Sequence, residues 1–171
     1  NTAIAQVYYN KKEGVKRLHV HWMFYQLLTA SMVLVLCSRN AVLFLVAWEA
    51  MTLTSYFLVT FDDREEEVRR AGWIYLVAAH FGTAFLIVLF LGLGAQAGSF
   101  EFEVWKNVAS SVTNGGFFFV LALLGFGVKA GFVPLHLWLP EAHPAAPSHV
   151  SAVMSGVMIK TGIYGLMRSF L

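Results

Sequence analysis

Five long apolar runs, at about residues 20–37, 41–61, 71–95, 117–139 and 150–167, restrict this chain more than any other feature. A helix needs about 20 apolar residues to cross a hydrocarbon layer about 30 Å thick. The runs reach or approach that length, and they are continuous rather than alternating. They therefore read as helices and not as barrel strands. The expected fold class is all-α, a polytopic membrane protein with five transmembrane helices, the fourth broken between Lys129 and Pro134. Composition agrees: 58% of the 171 residues are hydrophobic and 13% charged, against about 25% charged in soluble domains. That balance excludes an ordinary soluble domain and a disordered chain. The net charge is +2 without a basic arm or stripe, so nucleic acid is not expected as a partner. A single cysteine, Cys37, allows no internal disulfide, and no Cys/His grouping points to a metal centre.

Charge in the connecting segments sets an expected orientation. Lys11, Lys12, Lys16, Arg17, Arg64, Arg69 and Arg70 fall on one side, and Arg39, Lys106 and Arg168 on the other. Lysine and arginine favour the cytoplasmic side. Residues 1–19 are then a cytoplasmic basic segment, residues 20–171 the transmembrane region, and the C-terminus lies on the opposite side. The mixed run from Asp62 to Arg70 reads as a solvated turn or a docking surface, with the turn favoured. Residues 99–111, which mix Phe100, Phe102 and Trp105 with Glu101, Glu103 and Lys106, suit either an interfacial strip or an amphiphilic loop. Gly92, Gly94 and Gly98 mark the end of a span. Pro140, Pro144 and Pro147 predict a stiff, non-helical loop.

Three charges break the apolar pattern. Glu49, Lys129 and Lys160 each lie near the middle of a run, where insertion of one charge costs roughly 2.5–3.5 kcal/mol. Two roles fit such a buried polar seam. In one, Glu49 pairs with a lysine and fixes helix packing. In the other, the charges form a proton path. Burial and an opposite charge shift carboxylate and amine protonation in opposing directions, so a lysine near a carboxylate switches as its partner moves. Two lysines and one glutamate leave a static pair unbalanced, which favours the path. Pro134 cannot donate to the carbonyl of Ala130, and Gly125, Gly127 and Gly131 add freedom beside Lys129. Broken helices at membrane depth are tolerated where the freed backbone lines a buried or hydrated site.

Histidine titrates near neutral pH and extends the candidate path. His149 lies about three helical turns from Lys160, on one expected face. His136 follows the proline break and His143 sits among the prolines. His80, in an uncharged run, is a weaker candidate. His19 and His21 read as interfacial residues beside the basic cluster.

Trp48-Glu49-Ala50-Met51, the long run from Lys129 through Pro134, His136, Pro140, Glu141, His143 and His149 to Ala152, and Met158-Ile159-Lys160-Thr161-Gly162 together resemble a known family. It is that of the antiporter-like proton-pumping membrane subunits of respiratory complex I, Mrp cation/proton antiporters and membrane-bound hydrogenases. The resemblance is greatest to the large membrane subunit of hydrogenase-4 and formate hydrogenlyase. It implies that the chain corresponds to the fourth to eighth helices of a larger helical bundle and is a piece of a longer protein. Glu49 then matches the essential glutamate of the fifth family helix, Lys129 the lysine of the broken seventh and Lys160 that of the eighth. The resemblance implies a coupling pair between Glu49 and Lys129, with Lys160 passing the proton onward. Ser155 stands where some antiporter and complex I members carry histidine, which favours the hydrogenase-type branch.

The resemblance implies a non-redox subunit of a multisubunit complex in the inner (cytoplasmic) membrane, coupling electron transfer in its partners to proton movement. No cofactor is expected on this chain. Iron–sulfur clusters and a nickel–iron site or flavin are expected only in partner subunits, and the expected partners of this chain are other membrane subunits, peripheral redox subunits and the lipid bilayer. The alternatives are a cation/proton antiporter subunit and a structural anchor for a peripheral enzyme.

Overall fold

The structure is a computed structural model that describes residues 15–108 and 112–170, with side chains from residue 18 onward. Lys11 and Lys12 of the basic segment, and the side chains of Lys16 and Arg17, lie outside the described residues. Helix α1 spans Val15–Cys37, α2 Ala41–Val59, α3 Glu66–Ala97, α4 Phe102–Val108, α5 Gly115–Ala130, α6 Leu139–Ala145, α7 Ser148–Val153 and α8 Ile159–Phe170. A π-helical turn, Met154–Met158, joins α7 to α8 as one rod. Among the described residues, four helices are long and apolar enough to cross a membrane: Leu18–Cys37, Ala41–Val59, Glu66–Ala97 and Ser148–Phe170.

The fourth apolar run is interrupted as expected, but the break comes earlier than a proline kink would place it. Helix α5 has only 16 residues, about 24 Å at 1.5 Å per residue, and it stops at Ala130 rather than continuing past Pro134. Gly131 adopts a left-handed conformation at φ 72°, which glycine enters without a Cβ penalty. Its N–H bonds to Val128 O at 3.3 Å, and Phe132 N–H bonds back to Gly127 O at 2.9 Å. This double bond pattern closes a helix C-terminus by satisfying carbonyls that have no intrahelical donor. The proline ring therefore meets a chain that has already left the helix. The proline-rich loop also differs: Leu139–Ala145 is helical, with Pro140 in its first turn, where a missing N–H costs nothing.

Residues 99–108 pack onto the bundle. Ala41 N–H donates to Phe100 O at 2.8 Å, and Phe102 N–H donates to Arg39 O at 3.1 Å. Asn40 ties the two turns together, since its Oδ1 caps α2 at Val42 N and its Nδ2 donates to Glu101 Oε1 at 3.0 Å. Phe102 and Trp105 are buried against Phe90. At the other end of the bundle, Arg69 donates to the carbonyls of Asp63 and Arg64, folding the 60–65 turn onto the start of α3.

The core joins Phe44 and Trp48 of α2, Tyr75, Leu86 and Phe90 of α3, and Phe126 of α5. Helices approach closely where side chains are absent, the usual means of packing in a membrane. A Cβ on Gly82 of α3 would meet Gly125 O of α5 at 3.0 Å, and one on Gly162 of α8 would meet Phe126 O and Ala130 N at 2.8 Å. This second contact seats α8 against the broken end of α5, beside Lys129.

Candidate functional site

Lys129 is the last-turn residue of α5 and is 2% exposed. Its Nζ donates to Thr52 Oγ1 of α2 at 2.9 Å and to Tyr75 OH of α3 at 2.8 Å. The rings of Trp48 and Tyr75 stand 5.8 Å and 5.1 Å from Nζ, within range of cation–π attraction. The C-terminal end of a helix carries a partial negative charge, which favours a cation there. Hydroxyls, ring faces and helix end thus replace water around the ammonium.

The hydrogens of the two hydroxyls are already directed elsewhere. Thr52 Oγ1 donates to Trp48 O at 3.0 Å, leaving its lone pairs for the ammonium. Tyr75 OH lies 2.5 Å from Ser55 Oγ and 3.9 Å from Met158 Sδ, either of which takes its proton. Ser55 Oγ in turn donates to the carbonyl of Met51 at 2.7 Å or of Thr52 at 2.9 Å. Trp48, Thr52 and Ser55 recur at helical spacing and so share one stripe of α2. Sequence reading singled out Lys129 but missed Thr52, Ser55 and Tyr75. The spacing of Thr52 and Ser55 was a detectable signal; the position of Tyr75 depended on how α3 is rotated.

Glu49 is adjacent to Trp48 and therefore turned about 100° away from it around α2. It does not reach Lys129. Its Oε2 lies 3.4 Å from His80 Nε2 of α3, at a more open edge where the side chains are 29% and 50% exposed respectively. Glu49 Oε1 is buried with no hydrogen-bond partner among the described residues. His80 Nδ1 contacts Leu76 O at 2.9 Å. The coupling pair implied by resemblance is thus not in contact here, and the weakest sequence candidate, His80, holds the carboxylate.

The other candidates form two groups near the ends of α6 and α7. His143 Nδ1 shares a hydrogen bond with Ser151 Oγ at 2.8 Å and lies 3.5 Å from Ser155 Oγ. Burial pushes its pKa below the ordinary 6.5, because the charged form loses solvation. Lys160 is exposed, and its Nζ donates to Ser155 O at 2.8 Å, inside the π turn. His149 lies 2.7 Å, Nε2 to Nε2, from His21 of α1. A π turn lies between His149 and Lys160, so regular α-helical spacing no longer places the two on one face. His21 is buried rather than interfacial. Its partner is remote in sequence, so no local pattern marked it. His136 is half-buried, and its Nδ1 lacks a hydrogen-bond partner among the described residues. Among the described residues, no group of three or more His, Cys, Asp or Glu could hold a metal ion.

Residues 38–171 match the transmembrane family described as NADH:quinone oxidoreductase/Mrp antiporter. The chain belongs to this family. It is 44% identical over 145 residues to hydrogenase-4 component B of Escherichia coli, a match that covers 85% of this chain and 21% of that relative. The structure of the Mrp complex from Dietzia sp. superposes with a TM-score of 0.78 at 26% identity, covering 85% of this chain and 16% of that one. The membrane-bound sulfane sulfur reductase, an archaeal respiratory membrane complex, gives a TM-score of 0.76 at 29% identity, over 88% of this chain and 25% of that one. This antiporter-family chain therefore spans about a fifth of the curated relative and a comparable share of the structural neighbours.

The placement of Lys129 acquires its interest in that setting. An antiporter-family membrane segment here carries a buried lysine at the end of an interrupted helix, held by neutral groups. Trp138 secures the interruption: its indole Nε1–H donates to Val128 O at 2.7 Å, and its ring packs 5.0 Å from that of Tyr75.

Proposed function

We propose that this chain is part of a proton-translocating membrane subunit in a redox complex of the hydrogenase-4 or complex I type, with Lys129 as its central proton carrier. The observation that carries this reading is a buried ammonium with no carboxylate within ion-pair distance among the described residues. A lysine held by hydroxyls can pass on its proton without leaving a bare carboxylate behind, because a hydroxyl can accept from an ammonium or donate to an amine. Glu49 with His80 forms a second titratable station. His143, Lys160 and the His149–His21 pair form further stations toward the ends of the bundle, and His136 lies on the connecting segment. On this reading the N-terminal segment faces the cytoplasm. Electrons, and any iron–sulfur, nickel–iron or flavin group, reside in partner subunits.

The likeness to hydrogenase-4 component B and Ser155 support the redox-coupled form. The likeness to the Mrp complex supports a second reading, cation/proton exchange without redox partners. Lys129→Met in the full-length protein, within its native complex, separates the possibilities. Methionine keeps the length and removes the charge whose insertion is costly. The expected result is normal assembly with proton pumping lost. Normal assembly with normal pumping would refute the carrier assignment. Pumping that needs sodium or potassium but no electron donor would favour exchange.

A further inference from the structure

The hydroxyls around Lys129 are not equivalent. Thr52 reaches the ammonium while its hydrogen is committed to the carbonyl of its own helix. Tyr75 is different, because its hydroxyl lies between two side chains, Lys129 Nζ at 2.8 Å and Ser55 Oγ at 2.5 Å, with Met158 Sδ at 3.9 Å. Tyr75 is 1% exposed and Ser55 fully buried, so each hydrogen must go to one of these few partners. A charged lysine is a donor with no acceptor capacity, whereas a neutral amine offers a lone pair. Whatever surrounds a lysine that alternates between the two must therefore change from acceptor to donor, or leave a buried polar group unpaired.

We propose that Tyr75, backed by Ser55, is the positioning residue that makes this change, a reversible hydroxyl switch acting through Lys129. This rests on the carrier reading given above. With Lys129 charged, Nζ–H points to Tyr75 O, the Tyr75 hydrogen points to Ser55 Oγ, and Ser55 donates to the carbonyl of Met51 or Thr52. When Lys129 gives its proton to a water molecule of the path, one N–H bond breaks and nitrogen keeps the electron pair. Tyr75 O–H then rotates to donate to that pair, and Ser55 O–H rotates to donate to Tyr75 O. No atom leaves either hydroxyl, and Tyr75 remains a neutral phenol throughout. Return of a proton to the nitrogen reverses both rotations.

Among the described residues, no other titratable group competes for this role at Lys129. On α2 Glu49 turns to His80, which sits on the open edge of α3. On α6 Glu141 is exposed and His143 is engaged by Ser151. Lys160 of α8 bonds to Ser155 O, and the side-chain hydrogen bonds of Lys129 go to Thr52 and Tyr75 rather than to His136. The ring of Tyr75 also packs on Trp138, which holds the helix break, so Tyr75→Phe keeps the packing and removes only the switch.

The test uses the full-length protein in its assembled complex, reconstituted in liposomes, with proton pumping measured against pH. Tyr75→Phe deletes an acceptor of the charged form and a donor to the neutral one; the charge-assisted bond is the stronger, so the alkaline limb of the profile should move acidward by about one pH unit, tenfold in proton activity. Pumping should be slowed but not abolished. Thr52 remains an acceptor, which distinguishes this variant from the complete loss expected for Lys129→Met. An unchanged profile in Tyr75→Phe, alongside loss in Lys129→Met, would overturn the switch while leaving the carrier intact. Normal pumping in Lys129→Met would overturn the carrier itself. If Tyr75→Phe does not assemble, 3,5-difluorotyrosine at position 75 preserves the hydroxyl and nearly the same shape. Its more acidic phenol is a weaker acceptor and stronger donor, so the same acidward shift is expected, and its absence refutes the switch.

Discussion

Substitution at Gly131 tests how the helix break beside Lys129 is made. The residue sits at φ 72°, where an L-residue with a Cβ loses about 1–2 kcal/mol. A Cβ would also meet Leu139 Cδ1 at 2.3 Å, the far end of a flexible side chain. Leu139 is only half-buried, so that contact is relieved by rotation at smaller cost. Gly131→Ala should therefore destabilise by about 1–2 kcal/mol, mostly through the backbone. Gly131→Asn carries the same Cβ into the same contact, but asparagine tolerates the left-handed region. It should recover roughly half of the loss, on the order of 0.5–1 kcal/mol. The assay is equilibrium unfolding of the full-length protein in mixed detergent micelles, with three variants compared at one pH. Equal destabilisation by alanine and asparagine would show that the Leu139 contact dominates. A neutral Gly131→Ala would refute the left-handed stop altogether and return the break to Pro134.

Three further outcomes follow from other contacts. Gly162→Ala places a methyl against two backbone atoms of α5 at 2.8 Å, so α8 must move away from Lys129; unfolding should show a loss of about 1–3 kcal/mol, and an unaltered midpoint would contradict the close approach. Asn40→Ala removes the cap of α2 and the link to Glu101, costing about 0.5–2 kcal/mol, whereas Asn40→Asp keeps the cap and sets a second negative charge near Glu101; the pair of unfolding midpoints separates the two contributions. Burial lowers the His143 pKa below 6.5, so the unfolded chain binds its proton first as pH falls. Its stabilising contribution is complete above pH 6.5 and declines below that value. The unfolding midpoint of the parent should fall more steeply than that of His143→Gln below pH 6.5, and parallel curves would show that His143 does not contribute.

The distribution of apolar residues was sufficient to recognise a helical membrane protein, since backbone groups in hydrocarbon must be satisfied within each segment. The same logic made Glu49, Lys129 and Lys160 conspicuous, because a charge in an apolar run carries its cost wherever the helix packs. Local sequence also contained both possible stops for α5, but not their order of action. Gly131 acts first because the chain there turns back on Gly127 and Val128, and Trp138 reinforces the turn from seven residues further on.

What surrounds each charge was decided by tertiary structure. Thr52 and Glu49 stand about 60° apart around α2, which directs Thr52 toward Lys129 and Glu49 toward His80, and the pairing depends on how three helices are packed together. The π turn between His149 and Lys160 likewise defeats a count of helical turns. Sequence by itself determined that charges lie within the bundle, because hydropathy is a property of each residue in its own segment. Only the tertiary structure made Lys129 a hydroxyl-held cation beside Tyr75, because hydrogen bonds between side chains require the relative rotation and depth of separate helices.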